Sequence, residues 1–288
     1  MYLDELSSAP GGVSQVRECS AVLTQFAKQS GTVLILVGHV TKDGSLAGPK
    51  VLEHLVDAVL TFEGDRYASH RLLRAIKNRY GATFELGVFE MRGEGLIEVE
   101  NPSELFLSGD SASGVSTIVA CEGTRSLVVD LQALVSSTSY ASPRRTATGV
   151  ETNRLHQILA VLEKHLGLAL SRFDCYLAVA GGLEVEEPAA DLGIAAAIVS
   201  SYKNLTLPLG TVLIGELGLG GQLRPVSQLP QRLQEAVRLG FKRAVVTKGN
   251  KENSKQLKNK LDIEILEAST INEAIILALE MDPKADFN

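Results

Sequence analysis

No Gly-Lys dipeptide occurs anywhere in the 288 residues, so the sequence holds no G-x-x-x-x-G-K-[ST] loop to wrap phosphates with backbone N–H groups. Any dealings with nucleotide therefore proceed without a P-loop of its own. Cysteine is scarce: Cys19, Cys121 and Cys175 stand far apart with no C-x-x-C pair. That excludes a cysteine zinc site and a disulfide framework, and makes a reducing cytoplasm the expected location. The longest apolar runs, such as Thr32–Val37 and Gly193–Val199, fall well short of the roughly 20 residues a membrane span needs. Residues 1–15 lack both the basic start and the apolar core of a secretory signal. Low-complexity tracts and repeats of fixed period are absent, and aromatic residues make up only 5% of the chain. What is present is globular composition, with 45% hydrophobic and 22% charged residues and a formal net charge of -6. At roughly 100–200 residues per domain, two domains are expected. The acidic balance argues only weakly against nucleic acid, because charge can be segregated on the surface.

The first half alternates helical and strand patterns. Val13–Gln29 carries Val16, Cys19, Val22, Leu23 and Phe26 at helical spacing and stops at Ser30-Gly31. Thr32–His39 is a continuous β-rich run, as in a parallel strand buried on both faces. A helix over Gly48–Leu55 and strands at Ala58–Phe62, Arg71–Asn78, Leu86–Met91 and Leu96–Val99 follow, suggesting an α/β sheet with an appended edge. Residues 108–114 are small and polar, a linker composition. Beyond them come strands at Ser116–Cys121 and Ser126–Leu134, a polar stretch Ser136–Gly149, and a helix over Glu151–Leu166 with Leu155, Ile158, Leu159 and Leu162 on one face. A strand at Phe173–Ala180, a small-residue helix at Ala189–Ser201, a strand at Val212–Leu219 and a helix at Leu229–Leu239 continue an α+β pattern. Short strands at Ala244–Thr247 and Ile263–Leu266 and a helix at Ile271–Glu280 complete it.

Several residues could carry chemistry. Lys77 and Arg79 end a strand two residues apart, so both heads can point at one anion. They read either as solvated surface cations or as a phosphate-directed pair supplied to a neighbouring subunit. His39 follows directly on a buried strand, a place for a structural histidine or for a ligand-facing one. The loop after it holds Lys42, Gly44, Gly48, Pro49 and Lys50, suited to backbone phosphates. Arg66, His70, Arg71, Arg74, Lys77 and Arg79 crowd 66–79, a stretch without an acid: a solvated charge run or a positive strip.

The segments SSAPGGVSQVREC, LVGHVTKDGSLAGPKVLEHLVDAVLTFEGD, AIKNRYG, PRRTATGVETNRLHQILAVLEKHLG, VAGGLEVEEPAADLGIAAAIVSS and GELGLGGQLRPV resemble the RadA (Sms) family of bacterial DNA repair proteins. The resemblance runs over essentially the whole chain. Lys77–Gly81 matches the family's KNRFG motif with Tyr80 in place of phenylalanine. It implies an α/β and α+β architecture: the C-terminal part of a RecA-like ATPase core over 1–107, a linker with the first strands of a second domain over 108–150, and a proteolytically inactive Lon-protease-like (ribosomal S5 type 2-like) domain over 151–288. It further implies hexameric rings that use ATP and Mg to migrate branched recombination intermediates. The implied partners are single-stranded and branched DNA and the recombinase RecA, in the cytoplasm and away from membranes. The family's four-cysteine zinc motif, Walker A loop and Walker B strand have no counterpart here, and Met1 aligns just after the Walker B strand. ATP hydrolysis by this chain alone is accordingly not expected. A parallel sheet lacking early strands would leave Thr32–Val37 unusually exposed for so apolar a run.

By the same resemblance His39 takes a sensor position near the γ-phosphate, Lys77 and Arg79 take finger positions acting across a subunit interface, and residues 40–54 form a loop facing the DNA channel. On the second domain it makes Arg144, Arg145 and Arg154 candidate DNA contacts, their alternative being ordinary surface arginines. Lon-type peptidases use a Ser-Lys pair. Matching their motifs puts Asp191 at the nucleophile position and Pro230 at the lysine position, with Arg232 the nearest cation. Neither proline nor a permanently protonated guanidinium can act as general base. Three functions stand open: an incomplete RadA-type DNA-dependent ATPase, a non-enzymatic DNA-binding or ring-forming scaffold acting with an intact ATPase, and, disfavoured, a Lon-like serine peptidase.

Overall fold

The computed structural model describes residues 2–5, 7–10, 12–38, 51–64, 69–83, 85–109, 111–249 and 260–282. His39, Lys42 and Lys50, with most of the expected DNA-facing loop, lie outside the described residues, as does Arg66. The chain divides into two units, the first formed by Met1–Gly64 and Ser69–Leu96, the second running from Ile97 onward. The second unit thus begins ahead of the expected boundary at 107, and the strands of 108–150 belong to the same sheet as those that follow.

In the first unit, helix α1 (Val13–Ser30) starts after extended Gly12 and stops at Gly31, whose left-handed φ of 67° lets its N–H return to the Ala27 carbonyl. The short helix α2 (Val51–Leu55) leads into β1 (Ala58–Glu63), β2 (His70–Asn78), β3 (Leu86–Arg92) and β4 (Gly95–Glu98). These form a sheet in that order, with β1–β2 and β2–β3 antiparallel. Alternation along β2 and β3 buries Leu72, Ala75, Leu86 and Val88. Two expectations fail here. Thr32–Gly38 pairs with no strand among the described residues, and Val33, Ile35 and Val37 are 85%, 80% and 94% exposed. A strand needs a neighbouring ladder to satisfy its backbone, and the apolar run alone supplies none. The exposure of this apolar run is itself as expected. Nor is any strand pair of this unit parallel among those described.

The second unit is built on a seven-stranded mixed sheet, order β13-β12-β9-β5-β6-β8-β7. Its strands are β5 (Val115–Glu122), β6 (Arg125–Ser137), β7 (Arg145–Thr148), β8 (Phe173–Val179), β9 (Thr211–Ile214), β12 (Arg243–Thr247) and β13 (Glu264–Ala268). A small hairpin, β10 (Glu216–Leu217) with β11 (Leu223–Arg224), stands beside it. The neighbours β5/β9, β9/β12, β12/β13 and β7/β8 are parallel, while β5/β6 and β6/β8 are antiparallel. Helix α5 (Leu229–Arg238) buries Leu229, Leu233 and Ala236 against Val119, Val128, Val212, Ile214 and Val246 on one face. The opposite face carries α4 (Asp191–Lys203), flanked by α3 (Thr152–Leu166) and α6 (Ile271–Leu279). Helix α4 is apolar all round and buried over Asp191–Ser200, as a central helix must be. Gly193 sets its approach: a Cβ there would stand 2.1 Å from Ile118 Cγ2 and 3.3 Å from Leu131 Cδ1. Among the described residues no helix is long and apolar enough to cross a membrane.

Candidate functional site

The two expected finger residues of the first unit turn toward one neighbouring segment. Lys77 donates through Nζ to the carbonyls of Glu53 and Val56, the latter at 2.8 Å, and so caps the open C-terminal end of α2. Arg79 lies one residue past β2. Its backbone N–H donates to the Asp57 carbonyl at 2.8 Å and its Nη1 to Asp57 Oδ1 at 3.0 Å. The Arg79 side chain is 48% exposed, and an ion pair so open to water holds it only weakly, at about 0–1 kcal/mol. Lys77 is therefore committed and Arg79 can be recruited. Arg79 borders a cleft of about 350 Å3 that Thr24, Gln25 and Lys28 of α1 and His54 of α2 also line.

The basic strip over 66–79 is not free of acid in space. Antiparallel pairing sets β1 beside β2, and Glu63 accepts from Arg74 Nε at 3.2 Å. With Asp57 on Arg79, two of the strip's cations are neutralised by acids from the preceding strand and turn.

In the second unit the three expected DNA-contacting arginines have different fates. Arg145 reaches back from β7 to donate to the carbonyls of Phe173 and Leu170, the latter at 2.8 Å. Arg154 grips Asp191 with two nitrogens, Nε to Oδ1 at 2.6 Å and Nη2 to Oδ2. Arg144 alone of the three keeps an exposed guanidinium with no ion pair among the described residues, its Cζ 3.8 Å from the centroid of the Tyr140 ring. Its backbone is tied down on both sides, the N–H donating to Asp174 Oδ1 at 2.8 Å and the carbonyl accepting the Cys175 N–H at 2.9 Å.

The two residues expected at degenerate peptidase positions, Asp191 and Pro230, also resolve. Asp191 opens α4, where a carboxylate suits the helix dipole, and accepts from Leu217 N–H at 2.9 Å as well as from Arg154. Burial pushes its carboxyl above the usual range, against the pull of Arg154 and of the Leu217 N–H. Pro230 stands in the first turn of α5, where its fixed φ suits a helix start and its missing N–H costs nothing. Arg232, 1% exposed, binds Glu187 through Nη1 at 2.7 Å and Nη2 at 2.6 Å, with further bonds to the carbonyls of Val119 and Ser227. Burial opposes that charge, but Glu187 outweighs it and holds the guanidinium above its ordinary pKa. Asp191 and Arg232 thus belong to separate ion pairs. Among the described residues no three His, Cys, Asp or Glu side chains gather to hold a metal.

Sequence reasoning missed Glu187, Asp174 and Tyr140. The first two act through partners distant in sequence, a relation that spacing does not carry. Tyr140 was open to inspection, four residues before Arg144 in an otherwise polar stretch.

Comparison with known proteins places these residues in a lineage. A family model described as subunit ChlI of Mg-chelatase matches residues 151–250, within the second unit. The chain is 63% identical over 251 residues to a DNA repair protein RadA of Synechocystis sp., covering 86% of this chain and 50% of that protein. It is 51% identical to the DNA repair protein RadA of Halalkalibacterium halodurans, covering 97% and 61% respectively. With that of Streptococcus pneumoniae the identity is 47%, over 94% of this chain and 64% of the relative. The chain spans about half to two thirds of the length of these curated relatives. Over that shared stretch the chain is similar to the DNA repair proteins named RadA.

Proposed function

We propose that the chain acts in DNA repair as a RadA-type protein, contributing to ATP-dependent branch migration of recombination intermediates. The observation that carries this reading is the identity of 47% or more to proteins of that name over most of its length. In this reading 1–107 corresponds to part of a RecA-like ATPase core, and the second unit to a Lon-protease-like domain without peptidase activity. The partners are single-stranded and branched DNA, further subunits in a hexameric ring, and the recombinase RecA.

The chain's residues fit only part of a Mg-ATP complex. Lys28, His54 and Arg79 around the cleft suit phosphate oxygens, but no G-x-x-x-x-G-K loop occurs and no described acidic cluster would hold the metal. No step through Mg is therefore assigned to this chain. A P-loop on a neighbouring, intact subunit would hold the nucleotide, and Arg79 would swing from Asp57 to the charge that develops on the transferring phosphoryl group. His39 would stand near the same phosphate. Lys42 and Lys50, in the loop expected to face the DNA channel, would contact DNA, with Arg144 the best placed of the arginines on the second unit.

A scaffold role, in which the chain binds DNA or completes a ring without touching nucleotide, has one observation in its favour: Lys77 is spent on the end of α2 and Arg79 already has an acid. Peptidase activity has none, since Asp191 is occupied by Arg154 and Pro230 offers no base.

The test measures ATP turnover on branched DNA for the chain alone, for an intact RadA relative, and for their mixture. The chain alone is expected to be inactive and the mixture to depart from the relative alone. Arg79→Ala should remove that difference, because a trans-acting arginine contributes on the order of 10³–10⁵ in rate. A mixture indifferent to Arg79→Ala leaves the scaffold reading, and turnover by the chain alone refutes the need for a partner's P-loop.

A further inference from the structure

The loop before β7 presents a ring and a guanidinium in a stack, and its construction holds them there. Asp174, buried at the start of β8, secures the Arg144 end: its Oδ1 accepts the Arg144 backbone N–H at 2.8 Å. Thr138 secures the Tyr140 end: its hydroxyl oxygen accepts the Tyr140 N–H at 3.1 Å, while its own N–H reaches the Arg172 carbonyl at 3.1 Å. Every one of these bonds spends a backbone group or the Thr138 hydroxyl. The two large side chains are left to face water, Tyr140 at 50% exposure and Arg144 over its ring with Cζ 3.8 Å from the centroid.

An arginine wanted only for solubility needs no platform, and one wanted for stability would hold an acid or a carbonyl, as Arg145 and Arg154 do. Arg144 instead offers a flat cation backed by an aromatic face. That combination suits a flat, electron-rich ring attached to an anionic chain. A base in duplex DNA has both faces covered by its neighbours, whereas an unpaired base has a face free.

We infer that Tyr140 and Arg144 form a stacking platform for an unpaired nucleobase, so that the second unit grips single-stranded nucleic acid by a base as well as by phosphate. This rests on the DNA-binding reading above and adds to it the two residues that would grip an unpaired base. Arg144 supplies the charge that neutralises an adjacent phosphate, and Tyr140 supplies the sequence-tolerant stacking surface. Because Asp174 and Thr138 hold the loop in place beforehand, the stack forms without ordering a free segment.

The experiment measures binding of the full chain to a fluorescein-labelled oligo-dT, to an abasic oligomer of equal length and to the corresponding duplex. Tyr140→Ala is expected to weaken oligo-dT binding by about 5- to 100-fold while leaving the abasic oligomer almost unchanged, the size of effect that loss of one stacked base produces. Arg144→Ala should weaken both single-stranded probes. Tyrosine emission gives a second readout, since the chain has no Trp and 6 Tyr. Oligo-dT should quench part of it in the wild type, and less in Tyr140→Phe, which retains the stacking ring and near-normal affinity. Equal weakening of dT and abasic binding by Tyr140→Ala, or unchanged dT binding, overturns the platform. Failure of the wild-type chain to bind any of the three probes overturns the DNA-binding reading together with it.

Discussion

Arg154, on the first turn of α3, closes two hydrogen bonds on Asp191 at the start of α4, and Asp191 also takes the Leu217 N–H of β10. One carboxylate that is 1% exposed thereby fastens three elements, and the arginine that answers it is 29% exposed. The two partners should not be equivalent. Arg154→Ala leaves a buried acid without its cation and is expected to cost about 3 kcal/mol, whereas Asp191→Ala leaves a cation that water can reach and costs less. Urea denaturation of the two variants measures the difference. An Arg154→Ala protein of wild-type stability that has lost DNA affinity would return Arg154 to the DNA-contacting residues and remove it from the framework.

The second unit was largely readable, because α3 carries a hydrophobic period and α4 an unbroken run of small apolar residues. Leu155, Ile158, Leu159 and Leu162 mark the buried stripe of α3 as well in the sequence as in the structure. Strand β7 was not readable: Arg145–Thr148 has weak alternation, and what makes it a strand is its parallel pairing with β8. The opposite error arose at Thr32–Val37, where composition said strand but no described neighbour supplies a ladder. Charge misled for the same reason. The acid-free run 66–79 looked like a positive strip, yet Glu63 and Asp57 reach it from across the antiparallel register. Spacing along one strand cannot report what the adjacent strand brings. The site residues divide likewise: Lys77, Arg79 and Arg144 could be picked out by type and position, but which of them is spent and which is available depends on partners.

Glu187 and Arg232 form the more deeply buried ion pair, and Glu187 Oε1 also accepts the Cys121 N–H at 2.6 Å. Glu187→Gln removes the counter-charge of a guanidinium that is 1% exposed, and a loss of about 3–5 kcal/mol is expected. Arg232→Met combined with Glu187→Leu removes both charges and should recover much of that loss. A double variant less stable than Glu187→Gln in guanidinium denaturation would show that the bonds to Val119 and Cys121, and not the charge balance, hold this corner.

Gly193 offers a test of how tightly α4 lies on the sheet. The added methyl of Gly193→Ala would meet Ile118 Cγ2 at 2.1 Å in a core where neither residue can escape to solvent. Helix propensity favours alanine by up to about 1 kcal/mol, so an unhindered helix would gain from the change. Overpacking should win, with a net loss of roughly 1–3 kcal/mol. Ile118→Ala in the same chain opens the needed space, and the double variant should then be more stable than the sum of the two single losses. Strict additivity in a double-mutant cycle would rule out contact between these positions.

The platform loop should respond to acid in a particular direction. The Arg144 N–H, with help from the Thr138 hydroxyl and the charges of Arg144 and Arg145, lowers the Asp174 pKa below its usual value in spite of burial. A carboxyl whose pKa is lower in the folded than in the unfolded state binds fewer protons when folded. Its contribution to stability is complete above the unfolded value of about 3.9 and disappears as pH falls through the folded one. Asp174→Asn should therefore lower the melting temperature by a constant amount from neutral pH down to about pH 5, and the gap should close below about pH 4. Oligo-dT affinity should fall in this variant at neutral pH, because the loop that carries Tyr140 and Arg144 loses part of its anchor. If the melting difference widens as the solution is acidified, the carboxylate of Asp174 is not what holds the loop.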